Sequence, residues 1–300
     1  MSLGAIPGTG PNTSPLPVIR KSKVKTLADL PTDRTLVMGI LNITEDSFSD
    51  GGEYLDADVA IDRGLKLLYS GADIIDVGGE STRPGAKDVD PELERSRIIP
   101  VIQTLVKAGG IVSVDTMHVG TARAAINAGA HIINDVSGLT YEPGMPELIA
   151  ETGVPYVLMH RRGTAQSMVA EANYENVLTE VVGELRTLRD EFVAKGVAPE
   201  QIIIDPGLGF AKDAEHNWAL LGHLDAIEEL GHRVLIGTSR KRFLGELLAE
   251  SGSSRPPLER DTATAATTVL AAKDQVWAVR VHDVVGSRDA IEVVKAYGSH

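Results

Sequence analysis

The chain has 300 residues, no cysteine, a hydrophobic fraction of 43% and a formal net charge of −13. This length suits one large domain with a short extension, and the apolar content allows a sizeable core. The acidic balance argues against nonspecific nucleic-acid binding, and the lack of cysteine excludes disulfides, thiolate catalysis and cysteine-ligated zinc. Since no apolar run approaches the roughly 18 residues of a membrane span and no signal-peptide pattern opens the chain, we expect a cytoplasmic protein without membrane contact.

Residues 1–34 are predicted to be a flexible N-terminal extension. Their first part is rich in Gly, Pro, Ser and Thr, a composition that buries too little apolar surface to order itself. A docking segment is the alternative interpretation, because a small basic cluster stands here, formed by Arg20, Lys21, Lys23 and Lys25. No linker interrupts residues 35–297, which we therefore assign to a single domain.

Eight short apolar runs follow, each ending at a polar or Gly-rich group, and helix-like stretches separate most of them. This alternation indicates a parallel sheet covered by helices, and eight units in one domain predict an α/β fold, a (β/α)₈ TIM barrel. In such barrels the carboxyl ends of the strands form the active-site mouth. The runs lie at 36–44, 73–81, 111–116, 131–138, 156–160, 202–210, 234–241 and 278–284.

Acids and amides end several of the middle runs. Asp115 ends the third, Asn134 and Asp135 stand near the end of the fourth, and Asp205 follows Ile202–Ile204 in the sixth. Buried carboxylates need a partner, and a planar heterocycle with N–H donors would supply a common one. Mg²⁺ is the rival partner, and Asn42, at the end of the first run, is a plausible single ligand for it.

Basic residues follow the last two runs. Lys241 stands between Arg240 and Arg242, while Arg280 and His282 alternate along the eighth run and so face the same side. Because the loops after strands seven and eight of this barrel class often hold phosphate, these groups predict a phosphate site. For Arg240 and Arg242 a basic surface cluster is the alternative. The pocket thus combines an acidic half for a polar ring with a basic half for phosphate.

Gly207 and Gly209 allow a flat ligand to approach the backbone closely, and Phe210 could then wall the pocket. On pattern alone, Phe210 and Met159 fit a core position as well as a site position. His118 and His160 are interpreted as structural or solvated residues.

Several of these motifs together resemble the dihydropteroate synthases, the folate-pathway enzymes that sulfonamides inhibit. The resemblance covers about residues 35–297, and the motifs occur in the expected order on the expected strand ends. They are GILNITEDSFSDGG (39–52), DVGGESTRPGA (76–86), VDTM (114–117), NDVSG (134–138), DPGLGF (205–210) with Lys212, SRKRFLG (239–245) and RVHDV (280–284).

The resemblance implies condensation of a dihydropterin pyrophosphate with 4-aminobenzoate to give dihydropteroate and pyrophosphate, with Mg²⁺ as cofactor in a homodimer. It implies that the pterin ring is bound by Asp115, Asn134, Asp205 and Lys241, beside Met159. Pyrophosphate would be held by Asn42, Arg280 and His282, with the metal at Asn42. The 4-aminobenzoate side would be formed by Asp46, Phe48, Ser49, Thr82, Arg83, Pro84 and Phe210. Asp115, Lys241, Arg280 and His282 would be catalytic.

Three other functions fit parts of the pattern. A pterin-binding methyltransferase shares the barrel and the acid/amide pocket but should lack the STRPG loop and the SRK group. A class I aldolase would use Lys241 for Schiff-base chemistry if Arg240 and Arg242 depressed its pKa. A noncatalytic pterin-binding regulator would bind the ligand without releasing pyrophosphate. An inactive paralogue should show eroded motifs, but the positions Asn42, Asp46, Arg83, Asp115, Lys241 and Arg280 are all filled in this chain.

Overall fold

The computed structural model describes residues 26–44, 53–82, 85–86 and 89–299. Eight parallel strands close into a barrel in chain order, with the first strand paired to the last. The predicted (β/α)₈ TIM barrel is therefore confirmed. The strands are β1 (Leu36–Asn42), β2 (Ile74–Gly78), β3 (Ile111–Asp115), β4 (Ile132–Asp135), β5 (Tyr156–Met159), β6 (Ile202–Asp205), β7 (Arg233–Ile236) and β8 (Ala278–Val281).

Helices cover the outside of the barrel, and two helices instead of one follow both β6 and β7. Within the described ranges no helix is long and apolar enough to cross a membrane. The helices are α1 (Glu53–Tyr69), α2 (Pro91–Lys107), α3 (Val119–Asn127), α4 (Met145–Thr152), α5 (Val177–Ala194), α6 (Ala214–Leu221), α7 (Leu224–Glu228), α8 (Arg242–Leu247), α9 (Asp261–Lys273) and α10 (Val284–Gly298).

Local sequence explains how helix α2 begins and how it packs on the sheet. Asp90 caps α2 by accepting from the backbone N–H groups of Glu92 and Leu93, and Pro91 occupies the first helical position. Ile98 and Leu105, seven residues apart, lie on one face and are fully buried against the sheet. The helix is therefore held by an apolar stripe as well as by its cap.

The barrel interior changes character along its axis. Its amino-terminal end is filled by inward side chains that are all apolar and buried, namely Leu36, Met38, Ile74, Ile111, Ile132, Val157, Ile203, Leu235 and Ala278. Toward the carboxyl ends the inward positions become polar, with Asp76 paired in register to Ser113 and Asp115 to Asn134. The apolar end stabilises the barrel, and the polar end forms the floor of the mouth.

The amino-terminal end of the barrel is covered by part of the segment that the sequence assigned to the extension. A 3-10 helix, Leu27–Asp29, precedes β1, and Leu27 and Leu30 pack on the apolar interior cluster. Arg34 forms two hydrogen bonds with Asp73, at 2.8 and 2.7 Å. Residues 26–34 thus pack on the domain, whereas residues 1–25 of the predicted extension lie outside the described residues.

Candidate active site

The carboxyl ends of the strands bring most of the predicted site residues to one mouth. Asn42, Asp115, Met159 and Asp205 are the last residues of β1, β3, β5 and β6, and Asn134 lies one residue before the end of β4. All but Asn42, which is half-buried, are buried. Arg280 lies within β8, and Lys241 and His282 follow the ends of β7 and β8. The convergence of these groups is a direct result of the parallel, closed topology.

A buried ionic cluster forms the floor of this mouth. Arg280 donates from Nε to Asp76 Oδ2 at 2.6 Å and from Nη2 to Asp115 Oδ2 at 2.7 Å. Asn134 Nδ2 donates to the same Asp76 oxygen at 3.0 Å. Asp76, fully buried on β2, was not predicted from the sequence. Its signal was its inward register with Ile74 and Gly78, which places a charge inside the barrel.

The cluster leaves two polar atoms available for a ligand or a water molecule. Asp76 Oδ1 and Ser113 Oγ are buried and have no hydrogen-bond partner among the described protein atoms. Since buried polar atoms are nearly always hydrogen-bonded, these two atoms can pair with a ligand or a water molecule at this floor. Burial raises the pKa of Asp115 to about 7; Arg280 opposes this shift, and the negative charge of Asp76 adds to it.

Asp135 does not belong to the mouth, although it follows Asn134. Its side chain accepts from the Tyr156 hydroxyl at 2.8 Å and from the Ser137 N–H at 2.8 Å. Tyr156 belongs to the apolar cluster between sheet and helices. The two-residue period of a strand therefore sends Asn134 inward and Asp135 outward.

The turn after β6 brings Asp205, Phe210 and Lys241 together. Asp205 Oδ1 accepts from the Gly207 N–H at 2.7 Å. Lys241 Nζ donates to the Leu208 carbonyl and lies 4.8 Å from the Phe210 ring centroid. Burial lowers the pKa of Lys241 to about 8, with Asp205 opposing the shift and Arg280 adding to it. This amine therefore changes charge close to neutral pH.

The aldolase interpretation required the two neighbouring arginines to lower the pKa of Lys241, but they do not cause this shift. Arg240 turns away and forms two 2.7 Å bonds with Asp261, while Arg242 is largely exposed and pairs with Glu246. These two arginines belong to the surface and not to the mouth.

His282 is oriented by the loop after β7. Its Nδ1 lies 2.9 Å from Ser239 Oγ, and its backbone N–H donates to the same oxygen at 3.0 Å. Because Ser239 Oγ already accepts the backbone proton, its own O–H is free to donate to Nδ1. A neutral ring in that arrangement carries its proton on Nε2 and can donate it to an anion.

Of the remaining predicted residues, Thr82 and Phe210 lie in the loops that follow β2 and β6. Thr82 is half-buried at the start of the loop after β2. Phe210 is half-buried against a small cluster of Ala165, Met168 and Ala211. Asp46, Phe48, Ser49, Arg83 and Pro84 lie outside the described residues.

The mouth offers few ligands for Mg²⁺. Within the described ranges no group of three or more His, Asp or Glu side chains could hold a metal ion. Asn42 offers one amide oxygen at the end of β1. This oxygen lies beside the end of β2, 3.8 Å from the position that a Cβ on Gly78 would take. Mg²⁺ beside phosphate groups takes few protein ligands and fills its other positions with water and substrate oxygens, and one amide oxygen could serve as such a protein ligand.

Comparison with known proteins connects this geometry to a family. A family model described as "Pterin binding enzyme" matches residues 38–282. The dihydropteroate synthase of Mycobacterium leprae is 52% identical over 263 residues, which cover 87% of this chain and 93% of that protein. The structure of Yersinia pestis dihydropteroate synthase with a sulfonamide drug complex has a TM-score of 0.83 and 38% identity, covering 90% of this chain and 97% of that one. The Xanthomonas albilineans enzyme in complex with 7,8-dihydropteroate gives a TM-score of 0.80 and 39% identity, covering 90% and 96%.

Proposed function

The chain belongs to the dihydropteroate synthases of the pterin-binding enzyme family, and from this membership we propose how its strand-end mouth carries out their reaction. The chain is a transferase of folate synthesis that joins a dihydropterin pyrophosphate to 4-aminobenzoate and releases pyrophosphate. The observation that carries the proposal is the meeting of acids, an amide and two cations at a single barrel end.

Asp115, Asn134, Asp205 and Lys241 bind the pterin ring. The two carboxylates accept hydrogen bonds from ring N–H and amino groups, while Asn134 can both donate and accept. Lys241 donates to a ring oxygen or nitrogen, and Met159 supplies an apolar wall. Because Asp115 and Asp205 are buried, a ring with N–H donors recovers the hydrogen bonds that these groups lose to desolvation.

Arg280 and His282 bind the pyrophosphate. A guanidinium has five N–H donors, and the ion pairs with Asp76 and Asp115 use one on Nε and one on Nη2. Three donors thus stay available for phosphate oxygens without breaking the cluster. When bound, Mg²⁺, with Asn42 as a ligand, would neutralise charge that develops on the departing pyrophosphate.

The reaction then needs no protein nucleophile. The C–O bond breaks with its electron pair going to pyrophosphate, and the methylene cation that remains is stabilised by the pterin ring. Asp115 favours this positive charge electrostatically, and Arg280 and His282 favour the negative charge on the leaving group. The 4-aminobenzoate nitrogen then donates its lone pair to form the C–N bond and releases one proton.

We propose that 4-aminobenzoate is bound by Phe210 and Thr82 together with the predicted loop residues Arg83, Pro84, Asp46, Phe48 and Ser49. Exclusion of water by these loops protects the cation from hydrolysis. Sulfonamides, which resemble 4-aminobenzoate, would compete at this subsite.

We also propose that the protein is a cytoplasmic homodimer that associates through α9 and α10. Val285, Val293 and Tyr297 are 53%, 65% and 77% exposed on α10. Their spacings of eight and four residues place them on one face of the helix. Leu270 is 49% exposed on α9, the helix that packs against α10. Such an apolar stripe favours association, and light scattering of Val293→Glu against the unchanged chain would test it, with a shift to monomer expected.

Pyrophosphate release from the purified protein tests the function. Dihydropterin pyrophosphate and Mg²⁺ are supplied with and without 4-aminobenzoate, and we expect release that depends on the amine and matches the dihydropteroate formed. Pterin binding without turnover would instead favour a noncatalytic pterin-binding protein, and absence of pterin binding would contradict the proposed site.

A further inference from the structure

The turn after β6 places three residues in the left-handed region, and one of them, Ala211, carries a Cβ that disfavours it. Gly207 and Gly209 have φ values of +68° and +78°, and Ala211 has +48°. Glycine adopts this left-handed region readily, whereas a residue with a Cβ is strained there by about 1 kcal/mol or more. The Phe210 side chain is therefore carried by a turn that other contacts must fix.

Three side chains fix it by donating hydrogen bonds to its backbone carbonyl groups. Lys241 Nζ donates to the Leu208 carbonyl, Lys212 Nζ to the Phe210 carbonyl at 3.0 Å, and the Tyr174 hydroxyl to the Ala211 carbonyl at 3.0 Å. These bonds occupy the backbone carbonyl groups of Leu208, Phe210 and Ala211, at and on either side of the Phe210 position. The direction of that ring is thus coupled to the three donors.

Lys212 is unusual because its amine is buried outside the pterin pocket. Besides the Phe210 carbonyl, its Nζ contacts His160 Nδ1 at 2.8 Å and the His160 carbonyl at 3.4 Å. Three acceptors match the three N–H donors of an ammonium group. Burial lowers the pKa of Lys212, an effect that the charge of Asp205 opposes and that of Lys241 reinforces.

The chain of contacts continues to α5. His160 Nε2 lies 2.8 Å from a carboxylate oxygen of Glu184. Burial lowers the pKa of His160 to about 4, so the ring is neutral near pH 7. With Lys212 donating to Nδ1, the ring proton lies on Nε2 and is donated to Glu184. Glu184 thereby fixes the tautomer that can accept from Lys212.

We propose that Lys212 is a positioning residue for the condensation, locking residues 207–211 so that the Phe210 ring stays beside Lys241 at the 4-aminobenzoate subsite. This inference rests on the proposed role of Phe210. The turn touches Lys241 closely, because a Cβ on Gly209 would stand 2.9 Å from Lys241 Cδ. Release of the Phe210 carbonyl would therefore move the aromatic wall of the subsite while leaving the pterin-facing strand ends in place.

Steady-state kinetics of Lys212→Met provide the test. We expect the KM for 4-aminobenzoate to rise about 10-fold while the KM for dihydropterin pyrophosphate changes by less than about 3-fold. The milder variant Tyr174→Phe, which deletes one carbonyl bond, should raise the 4-aminobenzoate KM by about 3-fold and decides the matter if Lys212→Met does not fold. An unchanged 4-aminobenzoate KM in the folded variants would overturn the proposal.

Two further variants separate positioning from stability. Ala211→Gly removes the backbone strain, so in the Lys212→Met background it should restore thermal stability but not the 4-aminobenzoate KM; recovery of that KM would overturn the proposal. Glu184→Gln keeps an acceptor for His160 and should leave the KM unchanged. A rise as large as in Lys212→Met would assign the effect to α5 packing and also count against Lys212.

Phe210→Ala distinguishes failure of this inference from failure of the proposed subsite. If it raises the 4-aminobenzoate KM, Phe210 contributes to the subsite, and the kinetics of Lys212→Met then test the positioning inference alone. If it leaves that KM unchanged while pyrophosphate release proceeds, the role of Phe210 fails, and the positioning inference fails with it, but the activity does not.

Discussion

Arg280 donates to Asp115 at 2.7 Å, which places a half-buried cation in direct contact with the buried carboxylate proposed to face the pterin ring. The same guanidinium binds Asp76 at 2.6 Å, so one positive charge serves two carboxylates. Because two buried carboxylates share one guanidinium, their mutual repulsion favours the protonated form of Asp115. The raised pKa of Asp115, caused first by its burial and in part by Asp76, expresses this balance.

Asp115→Asn should impair the chemical step more than 4-aminobenzoate binding. The substitution keeps the shape of the side chain but removes the charge that favours the pterin cation, so we expect kcat to fall about 100-fold. The KM for 4-aminobenzoate should change by less than about 3-fold. Single-turnover rates together with steady-state KM values provide the measurement, and equal losses in amine affinity and turnover would contradict the assignment.

The pH profile of kcat/KM should be a narrow bell. Asp115 must be ionised to favour the cation, and burial sets its pKa at about 7, so activity falls as the pH drops below that value. Lys241 must be protonated to bind the ring, and its buried amine has a pKa of about 8, so activity falls above it. Lys241→Arg provides the control, because a guanidinium stays charged and only the alkaline limb should move.

Asp76→Asn should weaken the fold and shift the acid limb of that profile. Removing one partner of a buried ion pair costs about 3 kcal/mol of unfolding free energy, measurable by urea denaturation. The negative charge of Asp76 raises the pKa of Asp115, so its loss lowers that pKa, and the acid limb should move to lower pH. Ser113→Ala, at the paired position on β3, changes no charge and should leave the limb where it is.

The fold was accessible from the sequence because each strand ends abruptly at polar residues. A parallel barrel must collect such ends at one mouth, so Asp115, Asn134 and Asp205 could be placed together without coordinates. Asp76 was missed because it lies two residues inside an apolar run, where strand ends alone give no signal. The two-residue period of β2 would have exposed it, since it shares a face with Ile74 and Gly78.

Lys212 and Asp135 show the limit of reading motifs one at a time. Lys212 is the last residue of the motif that begins with DPGLGF, but only the packing of the turn against His160 shows that its amine is buried. Asp135 stands beside Asn134 in sequence, but its partner Tyr156 lies on the opposite face of the sheet. The two-residue strand period separates Asp135 from Asn134, whereas the burial of the Lys212 amine depends on contacts between distant segments that local patterns do not contain.

His160 should make the protein lose stability as the medium becomes mildly acidic. Its pKa is lowered to about 4 by burial and by the charge of Lys212, whereas an unfolded histidine titrates near 6.5. Between these values the unfolded state binds more protons than the folded state, so unfolding becomes easier as the pH falls. The contribution is present above pH ~6.5 and decreases by at most about 1.4 kcal/mol per pH unit down to pH ~4.

Urea denaturation of the unchanged chain and of His160→Asn, at pH values from 7 down to 4, measures this contribution. The variant keeps a side-chain oxygen that can accept from Lys212 but no longer titrates, so its unfolding free energy should depend less steeply on pH. Both chains share every other titrating group, so the difference between their slopes reports His160 together with its direct partners Glu184 and Lys212. His223→Asn removes an exposed histidine and should leave the slope as it is in the unchanged chain. Identical slopes for His160→Asn and the unchanged chain would show that His160 is not held neutral by its burial against Lys212.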